Sequence, residues 1–189
     1  LVGESHVFTI DVTTYAPAGV TVDHVDITPT GTYDSTTCLA DQSSTAVSCT
    51  VTVDSAVVGS ETIGASVSVQ FSDDSNASST ATATASTDGV APNSGPAVKH
   101  WVDASVVIGD DAVNAIGESH TFDITVTPSY PAGVTVTSVA ITPTGDTSYI
   151  TAEDCDEAGA GTALTCQVTV NSNVAATASI GADVSVTFS

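Results

Sequence analysis

An internal repeat is the strongest constraint on the fold, because a segment that occurs twice in one chain is expected to fold twice in the same way. Five stretches of the first half recur in the second half in the same order. The matched stretches are 3–6 with 117–120, 17–22 with 131–136, 27–31 with 141–145, 49–53 with 166–170, and 63–72 with 180–189. The chain therefore contains two copies of one module.

The offset between the copies changes once. Residue 3 corresponds to residue 117, an offset of 114, whereas Cys49 corresponds to Cys166, an offset of 117. The second copy therefore carries three extra residues in the loop before Cys155.

Four cysteines form two pairs with the same spacing, Cys38 with Cys49 and Cys155 with Cys166. An even number of cysteines at a repeated spacing is typical of disulfides formed in an oxidising compartment. Zinc is the alternative, but it usually requires a closely spaced C-x₂₋₄-C pair, which this sequence lacks. We therefore predict one disulfide within each copy.

Apolar and polar residues alternate along several segments of both copies. Phe8, Ile10 and Val12 alternate with polar residues, and the rows 49–53 and 63–71 show the same period of two. This period is typical of antiparallel strands with one buried face, and the Pro and Gly turns between them favour a β-sandwich. The phase slips by one residue at 23–24 and again at 137–138, which predicts a β-bulge in each copy.

Composition sets the domain boundaries that we predict. Residues 1–72 form the first repeat without its first strand, 73–98 a Ser/Thr/Ala- and Pro/Gly-rich linker with a possible edge strand, and 99–189 the second repeat. The segment 101–108 reads as the first strand of the second repeat. We expect a strand from outside residues 1–72 to take the corresponding place in the first repeat, either from the same chain or from a neighbouring subunit.

The charge balance excludes two classes of partner. Lys and Arg total 1 against 22 Asp and Glu, a net charge of −21. Nucleic acids and anionic membrane surfaces attract clusters of Lys and Arg, so neither is expected as a partner. No run of about 18 apolar residues is present, so membrane insertion is not expected either.

The sequence as a whole resembles a known class of repeat. The pattern His-Val-Phe-Thr-Ile-Asp-Val at 6–12, then Pro-Ala-Gly-Val-Thr-Val at 17–22, then a cysteine pair ahead of Thr-Val-Thr-Val, is similar to the tandem Ig-like repeats of bacterial and archaeal secreted surface proteins. Residues 99–104 and 114–120 extend the resemblance to nearly the whole chain. It implies an all-β fold of two tandem Ig-like antiparallel β-sandwich domains, and a cell-surface, stalk, filament or matrix role without catalysis.

Serine, histidine and aspartate occur close together in both copies, as Ser5, His6 and Asp11 and as Ser119, His120 and Asp123. Neighbouring residues of a strand point to opposite faces, so the serine and histidine are not expected to meet. Nucleophilic catalysis also needs a cleft and an oxyanion hole. A structural role is therefore favoured, and we predict that the protein is not an enzyme.

Acidic residues cluster near the predicted linker and in one loop. The candidate calcium ligands are Asp73, Asp74, Asp110, Asp111, Asp154 and Asp156. Calcium binds several loop carboxylates, but no D-x-D-x-D-G loop is present. Solvation and repulsion of unsuitable partners is the alternative role of these charges.

Two further features stand near the boundary. Asn76 begins the only N-x-S/T sequon, in the predicted linker, and is a candidate glycosylation site. Trp101 is the only tryptophan, and we expect it to pack in the core at the start of the second repeat.

Two functions remain open from sequence. The first is an extracellular structural repeat that associates head to tail with itself or with further repeats of the same chain. The alternative is a cell-surface adhesin module that binds glycan or protein through its loops. Binding surfaces are enriched in aromatic and Arg residues, and aromatics are only 5% here, which favours the structural role.

Overall fold

The computed structural model describes residues 1–38, 44–155 and 163–189. Its regular secondary structure consists of antiparallel strands and one short 3₁₀ helix, Thr147–Tyr149, which confirms the predicted all-β antiparallel fold. The chain divides into two compact units, Leu1–Trp101 and Val102–Ser189.

The first unit contains seven strands in two sheets. They are β1 (His6–Thr13), β2 (Val20–Thr30), β3 (Ser35–Thr36), β4 (Ala46–Val53), β5 (Gly59–Asp73), β6 (Asn76–Ser86) and β7 (Ala97–Trp101). One sheet has the order β1-β4-β3 and the other the order β2-β5-β6. Strands β6 and β7 pair with successive parts of the same strand: β6 with 66–73 of β5, and β7 with 59–63.

The core of the first unit lies between these two sheets. Alternate residues of β2, β4 and β5 are buried together because each strand turns one face inward. The cluster consists of Val22, Val25, Ile27, Val47, Cys49, Ala65, Val67 and Val69. A second cluster, at one end, joins Val51, Val53, Ile63 and Trp101.

The second unit repeats five of these strands. It contains β8 (Asp103–Ile108), β9 (His120–Ser129), β10 (Val136–Gly145), β11 (Ile150–Glu153), β12 (Leu164–Val170) and β13 (Ile180–Phe188). One sheet has the order β11-β12-β9-β8, and β10 pairs with β13. Strands β9 to β13 are the counterparts of β1 to β5, and their buried residues form one core cluster.

Both predicted β-bulges are present. The register between β2 and β5 shifts between Val22 and His24, and that between β10 and β13 shifts between Val136 and Ser138. One extra residue on one strand restores the inward phase of the side chains that follow it. The repeated phase slip in the sequence was therefore a reliable signal.

The segment 73–98, predicted as a linker with a possible edge strand, contains that edge strand but does not link the two units. Residues 76–86 form β6, an edge strand paired with β5, and β7 pairs with β5 as well, so residues 73–101 belong to the first unit. The segment 101–108 is not one strand of the second unit: Trp101 ends β7, and β8 begins at Asp103. Backbone pairing with β5 holds β6 in place, although every one of its side chains is exposed. The sequence of β6 therefore lacks the alternation of buried apolar and exposed polar residues by which the other strands were predicted.

Two glycines occupy equivalent turns in the two units. Gly31 and Gly145 have φ of 101° and 89°, and a Cβ at these positions would overlap the carbonyl oxygens of Thr62 and Ser179. L-residues avoid this backbone region, at a cost of about 1–2 kcal/mol. Gly19 also has a positive φ, 84°, but a Cβ there would meet no atom within 4 Å.

We expect Gly31→Ala to lower the free energy of unfolding of the first unit by about 2 kcal/mol or more, because backbone strain and steric overlap add. The matched control, Gly19→Ala, should cost only about 1 kcal/mol, from strain alone. Urea unfolding followed by the fluorescence of Trp101 measures both. Equal effects of the two substitutions would contradict this interpretation.

Candidate functional site

The structure contains both predicted disulfides. Cys38 is bonded to Cys49, with 4.9 Å between the Cα atoms, and Cys155 is bonded to Cys166, with 4.8 Å. Cys49 and Cys166 lie in the cores at 3% and 1% exposure, whereas their partners Cys38 and Cys155 are half-buried. Two disulfides in so small a chain indicate an oxidising environment.

The serine, histidine and aspartate residues do not form a catalytic arrangement among the described contacts. The ring of His6 packs edge-on against Phe8, and His120 packs in the same way against Phe122, with ring centroids 4.8 and 4.6 Å apart. Asp123 accepts a hydrogen bond from Nε2 of Gln167 at 2.9 Å. Strand geometry thus directs these groups to separate neighbours.

Some of the predicted calcium ligands accept hydrogen bonds from other residues of the protein, and the others lie elsewhere along the chain. Asp73 accepts hydrogen bonds from the hydroxyl and the amide of Ser75, which hold the pKa of its carboxyl below the usual value. Asp74 accepts from the Thr21 hydroxyl, and Asp154 from the amide of Gln167.

Three predicted calcium ligands remain. Asp110 and Asp111 are exposed in the segment after β8, and Asp156 lies outside the described residues. The single group of three ligand-type residues in the described part of the chain is Asp154, Cys155 and Cys166. The two sulfurs are bonded to each other, so neither is a thiolate able to bind a metal.

The candidate glycosylation site lies in a strand and not in a linker. Asn76 is the exposed first residue of β6, and its Oδ1 accepts a hydrogen bond from the amide of Ser78 at 3.3 Å. It follows the tight turn between β5 and β6. The side chain therefore projects from an ordered hairpin of the first unit.

Trp101 fills one end of the first unit and not the start of the second. Its side chain is 2% exposed, it packs with Val51, Val53 and Ile63, and its indole Nε1 donates to the carbonyl oxygen of Glu4 at 3.3 Å. The placement predicted from sequence was therefore wrong, although core packing was correct.

The outer edge of β1 differs from the corresponding edge of β9. In the second unit, β8 pairs with β9 in the register Ile108–Ile124, Val106–Val126 and Ala104–Pro128. In the first unit β1 pairs with β4 alone, so its other edge has no strand partner among the described residues. This is the edge at which the sequence predicted a missing strand.

A groove of about 620 Å³ runs along this open edge. Apolar side chains from both sheets form much of its surface: Ile10, Val12, Ala65, Val67, Val69 and Phe71. Residues 83–87 of β6 and its continuation, with 92–94, form the far wall. The sequence predicted a possible edge strand in this segment, which is β6, but gave no indication that it forms a wall of a groove.

The only tryptic site also lies within paired structure. Lys99, the only Lys or Arg, is half-buried in β7 opposite Glu61 of β5. Proteases cleave segments that have opened, and opening here requires β7 to leave the sheet.

We expect trypsin to cut the native chain at least about tenfold more slowly than the urea-unfolded chain, which should yield fragments 1–99 and 100–189. Equal rates, measured by mass spectrometry, would show that β7 is not paired in solution.

Among the described residues, no helix has the length and hydropathy needed to cross a bilayer. No protein-family model matches the chain, and no curated protein matches it either.

Proposed function

We propose that the chain is part of an extracellular structural repeat protein, a subunit or segment of a surface filament, stalk or matrix, in which an added strand joins modules at the open edge of β1. The observation that carries this proposal is the difference between the two copies. The same edge is paired with β8 in the second unit and has no strand partner among the described residues of the first. Extended segments bind such edges through main-chain hydrogen bonds.

The second unit indicates how an added strand would bind. The amide of Gly109, which follows β8, donates to the carbonyl oxygen of Asp123 at 2.9 Å. Thr9 is the counterpart of Asp123, so the backbone groups of Thr9, and of Asp11 two residues further, face the open edge. An added strand would run antiparallel to β1 with apolar side chains opposite Ile10 and Val12, as Ile108 and Val106 lie opposite Ile124 and Val126.

The groove gives such a strand an apolar surface. Ile10, Val12 and Phe71 are only half-buried, although they contact the core of the first unit. Covering apolar surface contributes about 25 cal/mol per Å². An unpaired, apolar edge also attracts further strands, which favours association.

Charge and redox state agree with an extracellular role. The two disulfides suit an oxidising environment. The net charge of −21 keeps free chains apart. Association should therefore increase with salt, because at about 0.15 M the screening length falls to about 8 Å.

Hydrogen exchange combined with electron microscopy tests the proposal. We expect fibres or linear assemblies to form as salt is raised, and the amides of Thr9, Asp11 and Thr13 to become protected in them. The amides of Asp123, Thr125 and Thr127 are the internal control, because β8 already pairs with β9. Absence of assembly, or assembly that leaves the β1 amides unprotected, would refute the proposal.

One exposed aromatic side chain favours a second candidate, an adhesin module. Tyr15 is 87% exposed at the end of the groove, and tyrosines are common anchors in recognition surfaces. This candidate predicts isolated monomers in the microscope and a saturable glycan or protein ligand that Tyr15→Ala abolishes.

A further inference from the structure

Trp101, the last residue of β7, fills one end of the core of the first unit. Trp101 lies in register opposite Gly59, where an added Cβ would meet no atom within 4 Å. Its neighbours in the core cluster are Val51, Val53 and Ile63, with Val2 and Phe8 packed against them. Two residues earlier in β7, Lys99 lies opposite Glu61.

The corresponding place in the second unit is a hollow of about 280 Å³. Its walls include Ile116, Glu118, Phe122, Val170 and Ala176, which are the counterparts of Val2, Glu4, Phe8, Val53 and Gly59.

One backbone hydrogen bond beside this place is the same in the two units. Gly3 donates to the carbonyl of Ser55, and Gly117 donates to that of Ser172, both at 2.8 Å. The hollow therefore occupies the place that Trp101 fills in the first unit.

Two further observations distinguish this hollow from the filled end of the first unit. Residues 176–179, the counterparts of 59–62 that pair with β7, belong to no strand. Asn171 lines the hollow, and its Oδ1 is the one buried side-chain oxygen or nitrogen in the described residues without a hydrogen-bond partner. Buried acceptors are normally paired, so Asn171 Oδ1 offers an acceptor to a polar group that enters the hollow.

We propose that this hollow binds a tryptophan-bearing strand with the sequence pattern of β7, Ala-Val-Lys-His-Trp. The strand pairs with residues 176–180 as β7 pairs with 59–63. Its tryptophan lies opposite Ala176 and inserts between Ile116 and Phe122. The indole N–H donates to the carbonyl oxygen of Glu118, as Trp101 donates to that of Glu4.

Register and charge favour this occupant over other segments of the chain. In the first unit Nδ1 of His100 lies 2.7 Å from the hydroxyl of Ser60, and Thr177 provides the equivalent hydroxyl in the second unit. β7 also carries the only Lys of a chain with a net charge of −21, so its pattern is the one best suited to an acidic surface. The inference rests on the proposed function in one respect only: both assume that a unit with an open place binds an added strand.

A peptide of residues 96–102, capped at both ends and carrying 5-fluorotryptophan, tests the site by ¹⁹F NMR with the full chain. We expect a saturable shift and broadening of the fluorine signal, and none with free 5-fluorotryptophan at the same concentration. The same peptide with Trp→Ala and a fluorinated valine should show no saturable binding. Failure to bind at millimolar protein, or binding that survives loss of the tryptophan, would overturn the proposal.

Matched variants locate the peptide on the chain. Ala176→Trp fills the hollow from within and should weaken binding at least about tenfold, whereas Val90→Trp, on an exposed loop of the first unit, should leave it unchanged. Ala178→Glu restores the counterpart of Glu61 opposite the peptide lysine, and should strengthen binding about two- to fivefold at low salt and less at high salt.

The two proposals fail separately. Binding that Ala176→Trp does not weaken would place the peptide elsewhere and refute the site. If the peptide does not bind in the hollow but the β1 amides are still protected in the assemblies, the site is refuted and the proposed function stands.

Discussion

Replacing Trp101 with alanine is expected to lower the free energy of unfolding of the first unit by about 3–5 kcal/mol, the usual cost of truncating a fully buried aromatic side chain. Trp101 is 2% exposed and joins β4, β5 and β7 in one cluster. The substitution leaves a cavity among Val51, Val53 and Ile63. It also leaves the carbonyl of Glu4 without its indole donor.

A urea titration followed by the NMR cross-peaks of each unit measures this effect, because the variant has no tryptophan for fluorescence. Trp101→Phe is the control that keeps an aromatic ring and loses the hydrogen bond, with an expected cost of about 1–2 kcal/mol. A loss below about 1 kcal/mol for alanine would mean that the end of the first unit collapses around the cavity.

Removing either disulfide is the second large perturbation. Each joins residues 11 apart in sequence. Closing a loop of this size restricts the unfolded chain and contributes about 3 kcal/mol. We therefore expect the double substitutions Cys38→Ala/Cys49→Ala and Cys155→Ala/Cys166→Ala to destabilise their own units by similar amounts.

Each double variant serves as the control for the other, because the unit that keeps its disulfide should unfold at an unchanged urea concentration. The same NMR titration separates the two units. A large difference between the two losses would contradict the loop-closure explanation, since the loops are equal in length, and would point to packing around Cys49 or Cys166.

The strands with one buried face were predictable from sequence. Rows such as Val47, Cys49, Val51 and Val53 alternate with polar residues and are buried as expected. Repetition strengthened the prediction of the bulges, because the same phase slip occurred in both copies. These features depend on local pattern, which the sequence carries directly.

The boundary between the units was not predictable in the same way. Strand β6 consists of small and hydroxyl residues that are exposed on both faces, so its place depends on which strand edge is free. Between β7 and β8 a strand-like pattern continues without a Gly or Pro, and the change of partner at Val102 has no local signal. Pairing between segments that are distant in sequence determines both where β6 lies and where the strand partner changes.

The candidate site was predictable in part. The sequence predicted that an added strand would lie beside β1, because a strand-like segment precedes the second Gly-Glu-Ser-His motif. It did not reveal the wall that β6 adds to the groove, nor the hollow beside Phe122. The hollow is recognisable as a binding site only by comparison with the equivalent place in the first unit, which Trp101 fills.

The first folding unit does not end with the long strand β5. Residues 73–101, which contain β6 and β7, belong to the first unit, and the next unit starts at Val102. A genetic crossover at Ser72 would separate Trp101 from the core that it fills, and would leave β5 without β6 and β7. A crossover at Val102 would exchange whole folding units. Shuffling or engineering of such modules should therefore succeed at Val102 and fail at Ser72.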